Sequence, residues 1–562
     1  MSDDTAAPHA LLAGQGVHAV RGHLVLGALA DGRWWTTRDL VRATAVAHRV
    51  VAETLAAVEA ELDRDGDRVR LRDPARYASL AARPGLADPV GHLVDAHPEA
   101  EAELRRLVAE APAPRADLDH VSATARTALR RALFLTTRFT THRARLLCVG
   151  DHDLTSLALT LVDPDAEATV VDIDERMLDY IDTAAARLGR KVRCYFADLR
   201  FGLPPAVRGS ADLVFTDPPY TPEGVELFVR RGLEGSADPR TTRVLLAYGA
   251  SETTPALAAR VQRRLTRLHL AIEALWPDFN RYLGAEAIGA ASDLYVLRAT
   301  ARTPLGRAEE TTARIYSQGA HARESAATLT AETARRVWAD TPPEACVGDW
   351  PGTLPAEVRR VPLDTWLSTP APARSAAVNL TGGAEALTER VILASPASDL
   401  RVVVDSHAPQ VRDAAGQEAL RRVVGSRRPL RFLRGLPDAR HTVIQVGAAA
   451  RPPDETADPA AWLAHRLRHR AHGSVASVLR ESLVQLAART GRPVNKKWAR
   501  THVAAALPWL AGHTLLDLPL HRFAALDDAL RRLAAALPPP TGDTGPGAHQ
   551  PGPPRSHRPP GR

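Results

Sequence analysis

Asp212-Leu213-Val214-Phe215-Thr216-Asp217-Pro218-Pro219-Tyr220-Thr221-Pro222-Glu223 is the stretch that decides how this chain is read. Leu213 to Thr216 form an apolar, β-branched run, which predicts a buried strand. Asp217 then falls at the strand's C-terminal end, where open α/β sheets bind their ligands. Pro218 and Pro219 cannot continue a ladder and enforce a stiff turn. Such a turn offers the Asp217 carboxylate, backbone carbonyls and the Tyr220 ring to an incoming amine. A nitrogen nucleophile beside a sulfonium needs acceptors for its N–H bonds and an aromatic face for developing positive charge.

Strand–helix alternation surrounds this turn and implies a mostly parallel sheet, with candidate strands at 145–149, 168–172, 191–197, 212–216, 243–247, 270–274 and 294–298. Four acidic loops fall at strand ends. The first, Gly150-Asp151-His152-Asp153, has one glycine where a nucleotide-binding loop carries several. Its carboxylates would repel a pyrophosphate, which disfavours NAD or ATP and leaves a sulfonium nucleoside allowed. Asp172 or Asp174 is placed to bind ribose hydroxyls, the other serving as a helix cap. Asp198 is placed to read an adenine amino group, and Asp217 is the fourth. Two unit charges ~4 Å apart interact by ~4 kcal/mol at an effective dielectric near 20, and ~1.4 kcal/mol is a tenfold preference. An acidic loop near the donor's tail would therefore favour decarboxylated S-adenosylmethionine, which ends in an ammonium alone, over S-adenosylmethionine.

The charge distribution agrees. Net charge is +7, yet residues 143–229 hold 15 Asp or Glu against 9 Lys or Arg; the basic excess lies at 421–440 and 465–500. An acidic cleft would concentrate a polycation. Cys148, Cys194 and Cys346 are far apart, which argues against disulfides and a zinc site and suits a reducing cytoplasm. No apolar run is long enough to span a bilayer.

The chain divides into six expected regions. Residues 1–15 read as disordered. Residues 16–75 read as a winged helix, with helices at 23–30, 38–45 and 48–63, a Thr36/Asp39 capping box and an Asp65-Gly66-Asp67 turn before the strand at 68–71. Its third helix carries Glu53, Glu59 and Glu61, which favours a packing or dimerisation module over DNA binding. Residues 76–140 form a helical linker and 141–302 a Rossmann-like domain. Residues 303–458 read as a second α/β domain, with strands at 376–380, 390–394, 401–405, 431–433 and 442–446; Asp405-Ser406-His407 is a capping turn. Residues 459–537 are helical, and 538–562 form a Pro/Gly-rich disordered tail. The fold class is α/β, with a Rossmann-like domain of class I methyltransferase type.

The segments Gly150-Asp151-His152-Asp153-Leu154-Thr155-Ser156-Leu157-Ala158-Leu159, Asp172-Ile173-Asp174-Glu175-Arg176, Asp198-Leu199-Arg200 and Thr216-Asp217-Pro218-Pro219 together resemble the branched-chain polyamine synthases, or N4-bis(aminopropyl)spermidine synthases. The resemblance extends through Asp278-Phe279-Asn280-Arg281-Tyr282 and Asp293-Leu294-Tyr295 and covers roughly residues 15–300. It implies an aminopropyltransferase moving aminopropyl groups from decarboxylated S-adenosylmethionine to spermidine and releasing methylthioadenosine. The family's first loop usually reads Gly-Asp-Asp-Asp; here His152 takes the middle position.

On this reading Asp151, Asp153, Asp217 and Tyr220 are catalytic, and Gly150, Asp172, Asp174, Asp198 and Pro218 hold the donor. Glu223, Asp278, Asn280 and Tyr282 meet the polyamine, the 278–282 segment as a lid or as packing at the sheet edge. No metal is expected, and a homodimer is. Two rivals stand beside it. Asp-Pro-Pro-Tyr is also a signature of S-adenosylmethionine-dependent amino-group methyltransferases acting on nucleic acid. His152 also suits a catalytically dead polyamine-sensing regulator.

Overall fold

The computed structural model describes all residues except 1–5, 16–18, 79–87, 251–253, 306–314, 317–328, 339–340, 353, 371, 426–427 and 540–562. At the N-terminus, helices Val20–Leu29, Thr37–Thr44 and His48–Ala57 pack on a small sheet of β1 (Trp35–Thr36), β2 (Leu62–Asp65) and β3 (Arg68–Leu71), ordered β1-β3-β2. Thr36 caps its helix by accepting from the Asp39 N–H at 3.1 Å. The third helix stops at Ala57 rather than 63, because Leu62 must pair with Leu71 to build the wing. The expectation of a disordered start is corrected over Ala6–Gln15, a helix that buries Leu12 in the core of this unit. The unit is docked on the next domain: Arg42 pairs with Glu286 at 3.3 Å, Arg21 with Asp278 at 3.2 Å, and Ala290 joins its core.

The central sheet comprises β4 (Arg145–Val149), β5 (Glu167–Asp172), β6 (Val192–Phe196), β7 (Leu213–Thr216), β8 (Arg243–Tyr248), β9 (Leu270–Arg281) and β10 (Ala291–Ala299). Their order is β6-β5-β4-β7-β8-β10-β9; the first five are parallel, and β10 runs antiparallel between β8 and β9. This is the class I methyltransferase arrangement. The order reverses between β4 and β7, so a crevice opens there at the strands' C-terminal ends.

β9 runs seven residues past the expected end at 274. Pro277 cannot donate to the ladder, and the pairing slips from Trp276↔Leu294 to Asn280↔Ser292. The irregularity carries Asn280 inward, where it is fully buried.

A second sheet follows, made of β11 (Ala345–Val347), β12 (Arg359–Val361), β13 (Ser375–Asn379), β14 (Asp399–Asp405), β15 (Leu430–Arg434) and β16 (His441–Val446). β11 and β12, three residues each, escaped the sequence reading. The strand expected at 390–394 is instead the end of helix Thr388–Ala394; all seven of its residues are buried, so no polar face marks a helical period. Helices Pro459–His469, Val475–Arg489, Lys496–Ala506 and Arg522–Ala535 form the C-terminal unit. From residue 540 the expected tail lies outside the described residues.

Helix Pro222–Gly235, which follows the Asp217 turn, lies close against the sheet through two glycines. A Cβ on Gly232 would meet Val214 at 2.7 Å, and one on Gly235 would meet Leu147 at 2.3 Å. Gly235→Ala is expected to force the helix off the sheet and destabilise the protein by about 1–3 kcal/mol, read as a lowered denaturation midpoint.

Candidate active site

The crevice is shaped by four loops. β4 ends at Val149, and Gly150 turns with φ +73°, a left-handed value that a Cβ disfavours. The Gly150 N–H donates to Val171 O at 2.9 Å and the Asp151 N–H to Asp172 Oδ2 at 3.1 Å, which ties the first loop to the second. The Asp217 turn ends in Thr221, which caps the following helix, with Pro222 in its first turn.

A buried ionic network lies at the centre. Arg131, on helix Ala125–Arg138, is fully buried. Its guanidinium donates to Asp153 Oδ2 at 2.8 Å, to Asp217 Oδ2 at 2.6 Å and to Asn280 Oδ1 at 2.8 Å. Asp217 also accepts from the Tyr282 hydroxyl at 2.8 Å and the Tyr220 hydroxyl at 3.1 Å. The two phenols lie 3.0 Å apart, and Tyr282 contacts Ser292 Oγ at 2.7 Å. Asn280 Nδ2 donates to the same Ser292 Oγ at 3.0 Å.

The electrostatics separate the two carboxyls. Burial and the neighbouring Asp153 charge push Asp217 up to about 7. Burial opposes ionisation of Asp153 too, but His152 and Arg131 outweigh it and hold that carboxyl well below its ordinary range. Burial likewise disfavours the charged form of His152, yet the Asp153 and Asp217 carboxylates raise its pKa. His152 Nε2 lies 2.8 Å from Val121 O and 3.3 Å from Asp153 Oδ1, and its ring stacks on His120 at 4.5 Å. Burial, then the adjacent His152, drives His120 down to about 3.

A cavity of about 30 Å³ opens beside this network, lined by apolar Leu118, Ile173, Leu199 and Phe228 and by Asp172, Asp217 and Tyr316, among others. That is space for about one water, so a nucleoside would have to part the 118–120 loop or Tyr316 from the sheet. A larger cavity, about 730 Å³, lies elsewhere, between the second sheet and the C-terminal helices. It contains none of the acidic strand-end loops.

The predicted residues are distributed unevenly around the crevice. Gly150, Asp172 and Asp217 line the cavity. Asp174 does not; it caps helix Glu175–Leu188 and binds Arg176 at 2.7 Å. Asp151 spends both oxygens on the N–H groups of Thr155 and Ser156, at 2.8 and 3.1 Å, and burial raises it to about 7. Asp198 is turned onto the Arg200 guanidinium, leaving Ala197 and Leu199 as the cavity wall at that loop. The wall at the Pro-Pro turn is Pro219 rather than Pro218.

Glu223 pairs with Arg264 at 3.0 Å and Asp278 with Arg21 at 3.2 Å, away from the cavity. Asp278, Phe279 and Asn280 belong to β9, and Phe279 packs edge-on against Phe134 at 5.6 Å, so this segment is sheet and not lid. The expectation of an uncompensated acidic lining is therefore corrected. Arginines pair with Asp153, Asp174, Asp198 and Asp217 because burying several carboxylates together is costly without countercharge. Arg131 and Ser292 were missed; the one available signal for Arg131 was a cation on a face with Ala128, Ala132 and Leu135, all buried.

Part of the chain is similar to known proteins. The family model described as the branched-chain polyamine synthase A C-terminal domain matches residues 99–323. Residues 99–323, less than half of the chain, are thus similar to the C-terminal domain of that family. An uncharacterized protein of Methanocaldococcus jannaschii is 36% identical over 171 residues, 30% of this chain and 43% of that protein. The N(4)-bis(aminopropyl)spermidine synthase of Thermococcus kodakarensis is 32% identical over 141 residues, 25% of this chain and 40% of that enzyme. The chain thus spans less than half the length of these curated relatives. Among solved structures, the Thermus thermophilus branched-chain polyamine synthase in complex with N4-aminopropylspermidine and 5′-methylthioadenosine is similar at 22% identity and a TM-score of 0.41, covering 55% of this chain and 96% of that one.

Removing Arg131 would leave two buried carboxylates facing each other. Arg131→Met is expected to cost about 3–5 kcal/mol in urea denaturation at pH 8. The loss should shrink towards pH 5, because Asp217, already raised to about 7, then takes a proton and the repulsion disappears.

Proposed function

We propose that the protein is an aminopropyltransferase that moves aminopropyl groups from decarboxylated S-adenosylmethionine to an amine of spermidine or a related polyamine. The observation that carries this reading is Asp217: a carboxyl at the β7 end, its side chain only 10% exposed, poised near neutrality and facing the crevice between β4 and β7. The similarity of residues 99–323 to that family model supports it, as do relatives named N(4)-bis(aminopropyl)spermidine synthase.

Asp172 would accept hydrogen bonds from ribose hydroxyls, and Ile173, Leu199 and Phe228 would sandwich the purine. The acceptor nitrogen attacks the methylene carbon bound to sulfur as a neutral amine. The new C–N bond forms while the C–S bond breaks, and the sulfur keeps the electron pair, giving methylthioadenosine. The ammonium so formed loses its proton to Asp217. Arg131 stays charged throughout and fixes the carboxylate, while the Tyr220 and Tyr282 hydroxyls orient its two oxygens. Holding the amine in line supplies much of the acceleration, since a sulfonium is already a good leaving group.

The nucleic-acid methyltransferase reading finds less support. The solvent face of helix His48–Ala57 carries Glu53 paired with Arg49 at 3.0 Å, and Arg38 and Arg42 are drawn to Glu286, so few cations there are left for phosphates.

Mass spectrometry after incubation with each sulfonium donor and a polyamine panel tests the proposal. Gain of aminopropyl groups on spermidine is expected; gain of a methyl group instead would contradict it. Asp217 must be ionised to take the proton, so kcat/KM should rise with pH through an apparent pKa of about 7. Asp217→Asn should lower turnover by about 10²–10⁴-fold and abolish that limb, with methylthioadenosine affinity changed little in calorimetry.

A further inference from the structure

The second sheet repeats the first. β11 pairs in parallel with β12 and β13, and β13 with β14, as β4 does with β5 and β7, and β7 with β8. Each sheet closes with an antiparallel hairpin whose second arm, β16 or β10, inserts beside β14 or β8. Among the described residues, only β6 lacks a counterpart. The tetrapeptide Cys-Val-Gly-Asp occurs twice, at 148–151 and 346–349. Both times valine ends the first strand and glycine turns left-handed, with φ +73° and +84°.

The registers give the equivalences. Val149 faces Thr216 and Val171, and Val347 faces Val378 and Val361. Asn379 thus stands where Asp217 does, Pro362 where Asp172 does, and Trp350 where His152 does. None of the three can serve a nucleoside. Pro362 has no acceptor side chain. Asn379 turns inward, donating to Asp349 O and accepting from the Thr381 N–H at 3.1 Å. Trp350 is buried against Trp338, with its indole N–H on Val347 O at 2.9 Å.

What the second crevice does touch is the first. Gly383, four residues past Asn379, offers its carbonyl to Arg200, whose guanidinium also binds both oxygens of Asp198. On the other side, the C-terminal unit bonds along the edge strand β6. The Phe196 N–H donates to Asp517 O at 2.9 Å, and His513 Nε2 lies 3.1 Å from Cys194 O. Residues 197–200, which contribute Ala197 and Leu199 to the small cavity, are thus held at Arg200 by Gly383 and follow directly on the β6 end that the C-terminal unit holds.

We infer that the second α/β domain is a silenced copy of the first, retained as a clamp that fixes residues 197–200 at the donor cavity. Gly383→Val tests the clamp, because φ +102° at Gly383 strains any side chain and displaces the carbonyl that anchors Arg200. Amide hydrogen exchange on the full chain should speed up at 197–201 in this variant and stay unchanged in β4; unchanged exchange at 197–201 overturns the clamp whether or not any nucleoside binds. Calorimetry with methylthioadenosine is the second arm and rests on the aminopropyltransferase reading. Wild type should bind one nucleoside per chain, Asp349→Ala should bind identically, and Gly383→Val about tenfold more weakly. Two nucleosides per chain, or weaker binding by Asp349→Ala, would show a second live site and overturn the silencing. Absence of binding by wild type would instead count against the function proposed for the first crevice, leaving the exchange arm to decide the clamp.

Discussion

One buried guanidinium organises the crevice. Arg131 joins a helix outside the sheet to the ends of β4 and β7 and to β9, through Asp153, Asp217 and Asn280. Without it, two carboxylates would face each other in a medium that screens them poorly, and the strand ends would be driven apart. With it, one acid is fixed as an anion and the other retains a proton-accepting capacity near neutral pH. The same charge keeps the crevice from being the open acidic trough that composition suggests.

This reshapes how a polycation could be held. Most of the aspartates at the strand ends are engaged: Asp151 with a helix N-terminus, Asp174 and Asp198 with neighbouring arginines. Asp172 and Asp217 also line the cavity wall, Asp172 while accepting from the Asp151 and Asp174 N–H groups and Asp217 while accepting from Arg131 and the two phenols. Two well-placed carboxyls in a low-dielectric crevice can discriminate more sharply than a broad acidic surface, because each is held at a defined angle and poorly screened by salt.

Much of this was legible in the sequence. The apolar run before Asp217, the single glycine after Val149 and the spacing of acids at strand ends identify the sheet, its switch point and the loops around it. The pairing of those acids was not legible, since Arg131 lies 86 residues from Asp217 and nothing local links them. Arg176 and Arg200 were in plain view two residues after their partners, but neighbours in sequence reveal little about which way a carboxylate turns. For residues 278–282 the sequence left a lid and packing at the sheet edge both open; the ladder slips past Pro277 and continues, which decides for the sheet. The second sheet's kinship with the first was hidden by two three-residue strands and a helix buried on every side.

The chemistry proposed for the crevice depends on the Asp217 carboxyl exchanging its proton near neutral pH. Difference infrared spectroscopy of the carboxyl stretch, wild type minus Asp217→Asn, reads that proton directly and needs no substrate. A protonated carboxyl band that fades with a midpoint near pH 7 is the expected result. A difference spectrum showing only ionised carboxylate down to pH 5 would contradict it.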